Sequence, residues 1–301
     1  MIPLFDLHCD TFLEIYKNKY RINDSPTHVS LEKTKEFSPY VQVGAIWSDF
    51  RFSDEECFVQ YTRVIDYLKT QNIHLCVNSS LFRPVSFVLA VEDARLLNGD
   101  LSRLDILHSD GVRFLTLNWK GDSIIGGGWD TDNPLTVFGK NVVTRCAELG
   151  KIIDISHSSQ NVQNEVIKMG RKLNFSPIAS HSCSFYVNPH KRNLTDNIFY
   201  DLMELGGLVG ISLVPEHLSQ SHDYCDLYKI IKHIDHFLEV GGENNVSLGC
   251  DLDGVESLPH GISSIADLSK LHKLVCLEFG EKICNKLFFY NAYNFATKNL
   301  K

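Results

Sequence analysis

A histidine and an aspartate two residues apart, His8 and Asp10 in Phe5-Asp6-Leu7-His8-Cys9-Asp10-Thr11, close an apolar run at the start of the chain. Alternate side chains of a strand share a face, so this pair points one way and can grip one metal ion, while Cys9 faces the other way. Four more metal-capable residues close apolar or β-branched runs further on: Glu92 in LAVEDA, His157 in IIDISHSS, His181 in IASHSCS and Asp251 in GCDLDG. Each has an ordinary reading alone, as a helix cap, a satisfied core histidine or a D-x-D-G turn. Six such residues at five run ends are a different matter. Without cations Asp10, Glu92 and Asp251 repel one another, and burial makes their charged forms costly. Two divalent ions relieve both effects, with Glu92 between them. The mixed nitrogen and oxygen donors suit zinc, with manganese, cobalt and iron as the other choices.

Positioning these residues requires a repeating scaffold. Short β-rich runs are predicted at 3–9, 41–48, 86–92, 112–118, 151–156, 176–181, 207–214 and 246–251. Helical patterns alternate with them: 53–70, where Ser53 is a cap and apolar residues recur at helical spacing, then 137–149, 160–171, 194–205, 226–240, 264–279 and 281–298. Gly150, Gly206, Gly241 and Gly280 stand where helices should stop. Strands alternating with helices predict a single (β/α)8 barrel domain over 1–301, whose active site lies at the C-terminal strand ends. An open doubly wound sheet has the same alternation, but neither GxGxxG nor GxxxxGK[ST] occurs in the chain. The long segment 119–134, with three consecutive glycines, is expected to be a mobile loop covering the substrate.

Composition narrows the function classes. The chain has 301 residues, 44% of them hydrophobic, a formal net charge of −8 and nine scattered cysteines without a CxxC. The acidic balance argues against nucleic acid as a partner. No apolar run is long enough for a membrane span and no signal-like segment opens the sequence, so a cytoplasmic protein with reduced thiols is expected. The histidines at 28, 74, 108, 222, 233, 236, 260 and 272 lie off the predicted strand ends and are assigned surface or core roles.

Taken together, DLHCDT, VED, RFLTLNW, LTVFGKNVVTRCAELGKIIDISHSS, SPIASHSCSFYVNPHKRNLTD and SLGCDLDGV resemble the membrane dipeptidase (renal dipeptidase) family of zinc peptidases, peptidase family M19, along essentially the whole chain. The resemblance implies a binuclear zinc dipeptidase in which a hydroxide bridging the metals attacks dipeptides bearing a free C-terminal carboxylate. It places His8 and Asp10 on one zinc, His157 and His181 on the other and Glu92 between them. It assigns Asp251 as the acid/base catalyst and Arg192 as the partner of the substrate carboxylate. An alternative for Arg192 is a surface pair with Asp196. The resemblance also allows a homodimer.

The chain departs from the vertebrate pattern twice. Trp119 stands where those enzymes have a histidine after the fourth strand, as in bacterial-type members; an indole can donate one hydrogen bond but cannot act as an acid or base at neutral pH. His217, in VPEHL, stands near the place of a substrate-contacting tyrosine. Both are expected to line the substrate site. Two other readings fit less well: an amidohydrolase-like enzyme acting on a lactone, amide or phosphotriester, which would start with His-x-His and use a bridging lysine such as Lys120, and a non-catalytic binding barrel.

Overall fold

The computed structural model describes residues 1–220 and 224–300, so His222 lies outside the described residues. Seven strands form one sheet: β1 (Ile2–Cys9), β2 (Phe37–Trp47), β3 (Val85–Glu92), β4 (Val112–Thr116), β5 (Ile152–Asp154), β6 (Val209–Ile211) and β7 (Val246–Leu248). Their order is β5-β4-β3-β2-β1-β7-β6, and every pairing is parallel. Residues 178 and 179 join the two ends, pairing Ile178 with Asp154 and Ala179 with Val209. The ring is thereby a barrel of the expected (β/α)8 type.

The predicted strand at 176–181 is therefore corrected to a pair of bridges. Pro177 has no N–H to give a ladder, and the N–H of Ser180 goes to the Asp154 carboxylate (2.9 Å) instead of a neighbouring strand. The later predicted strands also end early, with β4, β5, β6 and β7 stopping two or three residues before the predicted limits.

Ten helices surround this ring among the described residues: α1 (Thr11–Asn18), α2 (Asp54–Lys69), α3 (Arg103–Ser109), α4 (Val137–Glu148), α5 (Gln160–Leu173), α6 (Asp196–Glu204), α7 (Pro215–Leu218), α8 (Leu227–Glu239), α9 (Leu268–Asn285) and α10 (Asn291–Asn299). Ser53 caps α2 in a full capping box with Glu56. The predicted stop at Gly280 is instead a kink inside α9, where Gly280 adopts φ 82° and ψ 161°. A π-helical turn over 286–290 then leads into α10. No helix among the described residues is long and apolar enough to cross a membrane, and the nine cysteines are free thiols.

The two faces of the sheet bury different layers. Outward residues such as Leu4, Cys9, Ile46, Leu89 and Val91 pack against the helices. Inward residues Phe5, Leu7, Val43, Val88, Ala90, Phe114, Ile152, Ile178 and Leu208 fill the barrel together with Phe289, Phe295 and Leu300. One step toward the C-terminal ends, the inward positions become polar. Thr116, Asp154 and Ser180 stand there, with Thr116 and Ser180 both donating to Asp154 Oδ2 (2.7 and 2.5 Å). Gly210 and Gly249 complete this level because a Cβ on either would run into the Ser180 carbonyl oxygen, at 1.9 and 1.7 Å. Gly249→Ala is expected to lower stability by at least about 1–3 kcal/mol through overpacking. A fall in the urea midpoint with an unchanged m-value is the measurement that checks it.

Candidate metal centre

His8 owes its position to an irregularity in β1. Strict alternation would put His8 on the outward face with Leu4 and Asp6, yet the register with β2 shifts between Asp6 and Cys9. This bulge turns His8 inward while Cys9 stays in the outer layer, a re-aiming for which bulges are suited. Asp10 follows at the N-terminus of α1, where its backbone carbonyl accepts from Leu13 N–H. Glu92 continues the inward row of Val88 and Ala90 at the end of β3. His157 sits just beyond β5 with a positive φ of 63°, His181 just beyond the bridging residues, and Asp251 beyond β7 at φ 59°. Asp251 is tied to β1 by its N–H to the His8 carbonyl (3.1 Å).

The side chains converge in two groups that share Glu92. Glu92 Oε1 lies 2.9 Å from His157 Nε2 and 3.5 Å from His181 Nε2. Its second oxygen, Oε2, lies 3.5 Å from His8 Nε2, which is 3.4 Å from Asp10 Oδ2 and 3.8 Å from Asp251 Oδ1. Donors held at ~2.0–2.2 Å by one tetrahedral ion stand ~3.3–3.6 Å apart, so these spacings suit metal ligation. Two further observations fit divalent ions. His8 Nε2 and Asp10 Oδ1 are buried without a hydrogen-bond partner, and the Nε2 atoms of His157 and His181 face each other at 2.8 Å.

The polar level beneath fixes one of these ligands. Ser180 donates its hydroxyl proton to Asp154, so its oxygen accepts from His181 Nδ1–H at 2.8 Å. His181 Nε2 is thereby left with a free lone pair, the usual outer-partner arrangement of a ligating histidine.

Electrostatics follow from burial. Burial pushes Asp10 up to about 6 and Asp251 up to about 7, with neighbouring carboxylates adding to both. Burial also holds His157 down to about 4, and Arg192 adds to the effect. Glu92 goes the other way: its three histidine neighbours outweigh burial and keep its carboxyl well below the usual range. Burial likewise holds His181 well down, whereas the carboxylates of Glu92 and Asp10 raise His8 well above its usual range despite its burial, so the pocket gathers carboxylates and imidazole nitrogens able to hold a cation.

These groups open into a cavity of about 400 Å³ lined by Asp10, Glu92, His157, Arg192 and Asp251. Arg192 is buried; Nη2 donates to the His181 carbonyl (3.1 Å), Nη1 to Ser182 Oγ (3.4 Å), and Nε has no partner. It does not pair with Asp196, which instead accepts from His236. Trp119 and His217 also line the cavity, with His217 Nδ1 against Ser212 Oγ (3.0 Å). Lys120 is exposed, and Glu92 lies between His8 and His157.

Sequence reasoning missed several parts of this wall: Trp47, Trp129 and His190. Trp129 comes from the 119–134 loop, which is braced by Gly128 N–H to the Gly121 carbonyl (2.7 Å) and Gly121 N–H to Asp130 (2.6 Å). Gly254 was missed too, although the D-x-D-G string contains it. A Cβ there would meet Asp251 Oδ1 at 2.3 Å and Asp10 Oδ2 at 2.4 Å. His233, assigned a surface or core role, is buried and holds the loop between His181 and Arg192: its Nδ1 accepts Ser184 N–H and its Nε2–H donates to the Leu218 carbonyl, both at 3.1 Å.

Gly254→Ala is expected to weaken metal binding by about 10–100-fold, the usual cost of disturbing groups around metal ligands, as read by competition with a chelator. His233 gives a pH prediction. Burial lowers it to about 4 in the folded protein from 6.5, so the unfolded chain binds more protons between these values. Stability should therefore fall as pH drops from 6.5 to 4. The corresponding slope should be smaller in His233→Asn, measured by denaturant unfolding across that range.

The comparisons with known proteins place the family and the fold. A family model described as membrane dipeptidase (peptidase family M19) matches residues 1–293. Dipeptidase aclJ of Aspergillus oryzae is 30% identical over 197 residues, 64% of this chain and 45% of that protein, so the match spans less than half of the relative's length. The fold is shared with the metallopeptidase dipeptidase AC (TM-score 0.91, 24% identity, 99% of both chains). It is shared as well with a metallopeptidase from Rhodobacter sphaeroides liganded with a phosphinate mimic of the dipeptide L-Ala-D-Ala (TM-score 0.88, 23% identity, 99% of both chains). With the family model spanning all but the last residues, the chain belongs to the membrane dipeptidase family, peptidase family M19.

Proposed function

We propose that this chain is a metal-dependent dipeptidase, a single barrel domain that uses two zinc-class ions to hydrolyse dipeptides with a free carboxylate. The observation that carries the reading is the division of Glu92 between two ligand groups, Oε1 toward His157 and His181 and Oε2 toward His8, at the floor of a cavity that also presents Arg192. In this reading His8 and Asp10 hold one ion, His157 and His181 the other, and Glu92 joins them. Bound divalent ions supply Lewis acidity to the substrate carbonyl and acidify water.

The chain's own residues supply the rest. Arg192 is a planar cation with an unspent Nε donor, suited to a carboxylate. Its burial limits the space behind that carboxylate, which favours short peptides. Asp251 Oδ1 stands 3.8 Å from His8 Nε2, within the ligand cluster, and there it accepts the proton of the attacking water and returns it to the leaving amine. Trp119, Trp129 and Trp47 wall the cavity and exclude bulk water. The phosphinate mimic bound by the Rhodobacter sphaeroides relative makes L-Ala-D-Ala a sensible first substrate.

A panel of L,L- and L,D-dipeptides is expected to be cleaved in a chelator-sensitive way, with activity restored by zinc, manganese or cobalt. Bound dipeptide without turnover under any of these metals would sink the proposal. Asp251→Asn should lower kcat by about 10²–10⁴-fold while metal content is retained. Arg192→Met should lose most kcat/KM for dipeptides, and amidating the substrate carboxylate should cost the wild type far more than this variant.

A further inference from the structure

A second set of metal donors lies outside the barrel mouth, on the broken helix α9. His272 and Cys276 are one turn apart on its first half, and Cys284 comes from the half beyond the Gly280 kink. Cys276 Sγ is 3.7 Å from His272 Nδ1 and 3.9 Å from Nε2. The Cys284 thiol reaches the Cys276 thiol and also donates to the His272 carbonyl at 3.3 Å. One ligand atom from each of the three lies within 4.8 Å of the others.

We infer that His272, Cys276 and Cys284 form a thiolate–imidazole site for a soft divalent ion of the zinc class, clipping together the two halves of α9. A tetrahedral ion with Zn–S of about 2.3 Å and Zn–N of about 2.0–2.1 Å holds its sulfur and nitrogen ligands ~3.6 Å apart, close to the spacing found here. Cys284 is buried, whereas His272 and Cys276 are half-buried, so the cluster has an inner wall and an open side through which an ion can enter. The His272 ring is set edge-on against Phe288 at 4.9 Å, which limits its rotation. The open side leaves the fourth position to a solvent water. Binding releases the thiol protons to solvent and gives up the hydrogen bond from Cys284 to the His272 carbonyl, and no other covalent bond changes.

Two sulfur donors separate this site from the barrel centre, whose proposed ligands are nitrogen and oxygen alone, and soft sulfur donors favour zinc over the harder ions that carboxylates accept. Its role is structural. Gly280 leaves the backbone of α9 non-helical, and an ion held from both sides ties the halves across that break.

The test is a cobalt(II) titration of the full-length chain, reduced and stripped of metal. Sulfur-to-cobalt charge transfer absorbs in the near ultraviolet and is absent from nitrogen and oxygen sites, so its appearance reports this cluster. The band is expected in the wild type and in His181→Ala, and is expected to be lost in Cys276→Ser and in His272→Asn, each of which should bind one ion fewer than the wild type. Zinc should also slow alkylation of Cys276 in the wild type but not in His272→Asn, a readout that needs no cysteine variant to fold. A wild type without the band, a band that persists in both variants, or an alkylation rate indifferent to zinc overturns the inference.

Discussion

Asp10, Glu92 and Asp251 converge at a buried barrel mouth, and keeping such carboxylates charged there requires positive charge close by. Much of the surrounding architecture answers that requirement. Three imidazoles aim nitrogen at the same place, Arg192 adds a permanent cation, and Gly254 leaves out the one carbon that would force Asp10 and Asp251 apart. Burial raises Asp10 and Asp251 because the protein by itself undercompensates them. An arrangement that disfavours ionisation of Asp10 and Asp251, yet points its donors at common centres, is suited to hold an ion.

The barrel interior is graded to support this. Aromatic and aliphatic residues fill the lower part, a hydrogen-bonded level built on Asp154 lies above it, and the ligands stand on top. The middle level transmits order upward, since Asp154 fixes Ser180 and Ser180 fixes the His181 tautomer. The strand ends are also where the backbone is most unusual. His157, Asp251 and Asp253 all adopt positive φ, a cost that neighbouring hydrogen bonds sustain, as when Asp253 accepts from Thr11 Oγ1 and the His28 N–H (both 2.5 Å).

The residues of the proposed metal centre were legible in the sequence because strand alternation and barrel topology both leave marks at the C-terminal ends of apolar runs. His8, Asp10, Glu92, His157, His181 and Asp251 could be gathered on that ground alone. What lay beyond reach has a common cause: it depends on partners distant in the chain. SPIASH has strand-like composition, but the Asp154 carboxylate takes the Ser180 N–H and cuts the ladder short. The inward turn of His8 depends on a register shift against β2 that no periodicity in β1 announces. Trp47, Trp129 and His190 reach the cavity from a strand end and from loops, where no repeating pattern marks them. Gly280 carried a true signal of disruption, although the helix resumes after it because α9 still buries Cys284 on its far side.

The place of β1 in the ring bears on how the molecule is made. β1 lies between β2 and β7, pairing Asp6 with Leu248, so it acquires its second neighbour only after the other strands of the ring have been made. The mouth of the barrel divides along the same line. His8, Asp10, Glu92, His157 and His181 have all emerged by residue 181, whereas Asp251 and the Gly254 turn, which close the side around His8, come later in the chain. The mouth is therefore completed in order: most of its wall can form on the growing chain, and the rest closes only when β1 is locked into the finished ring.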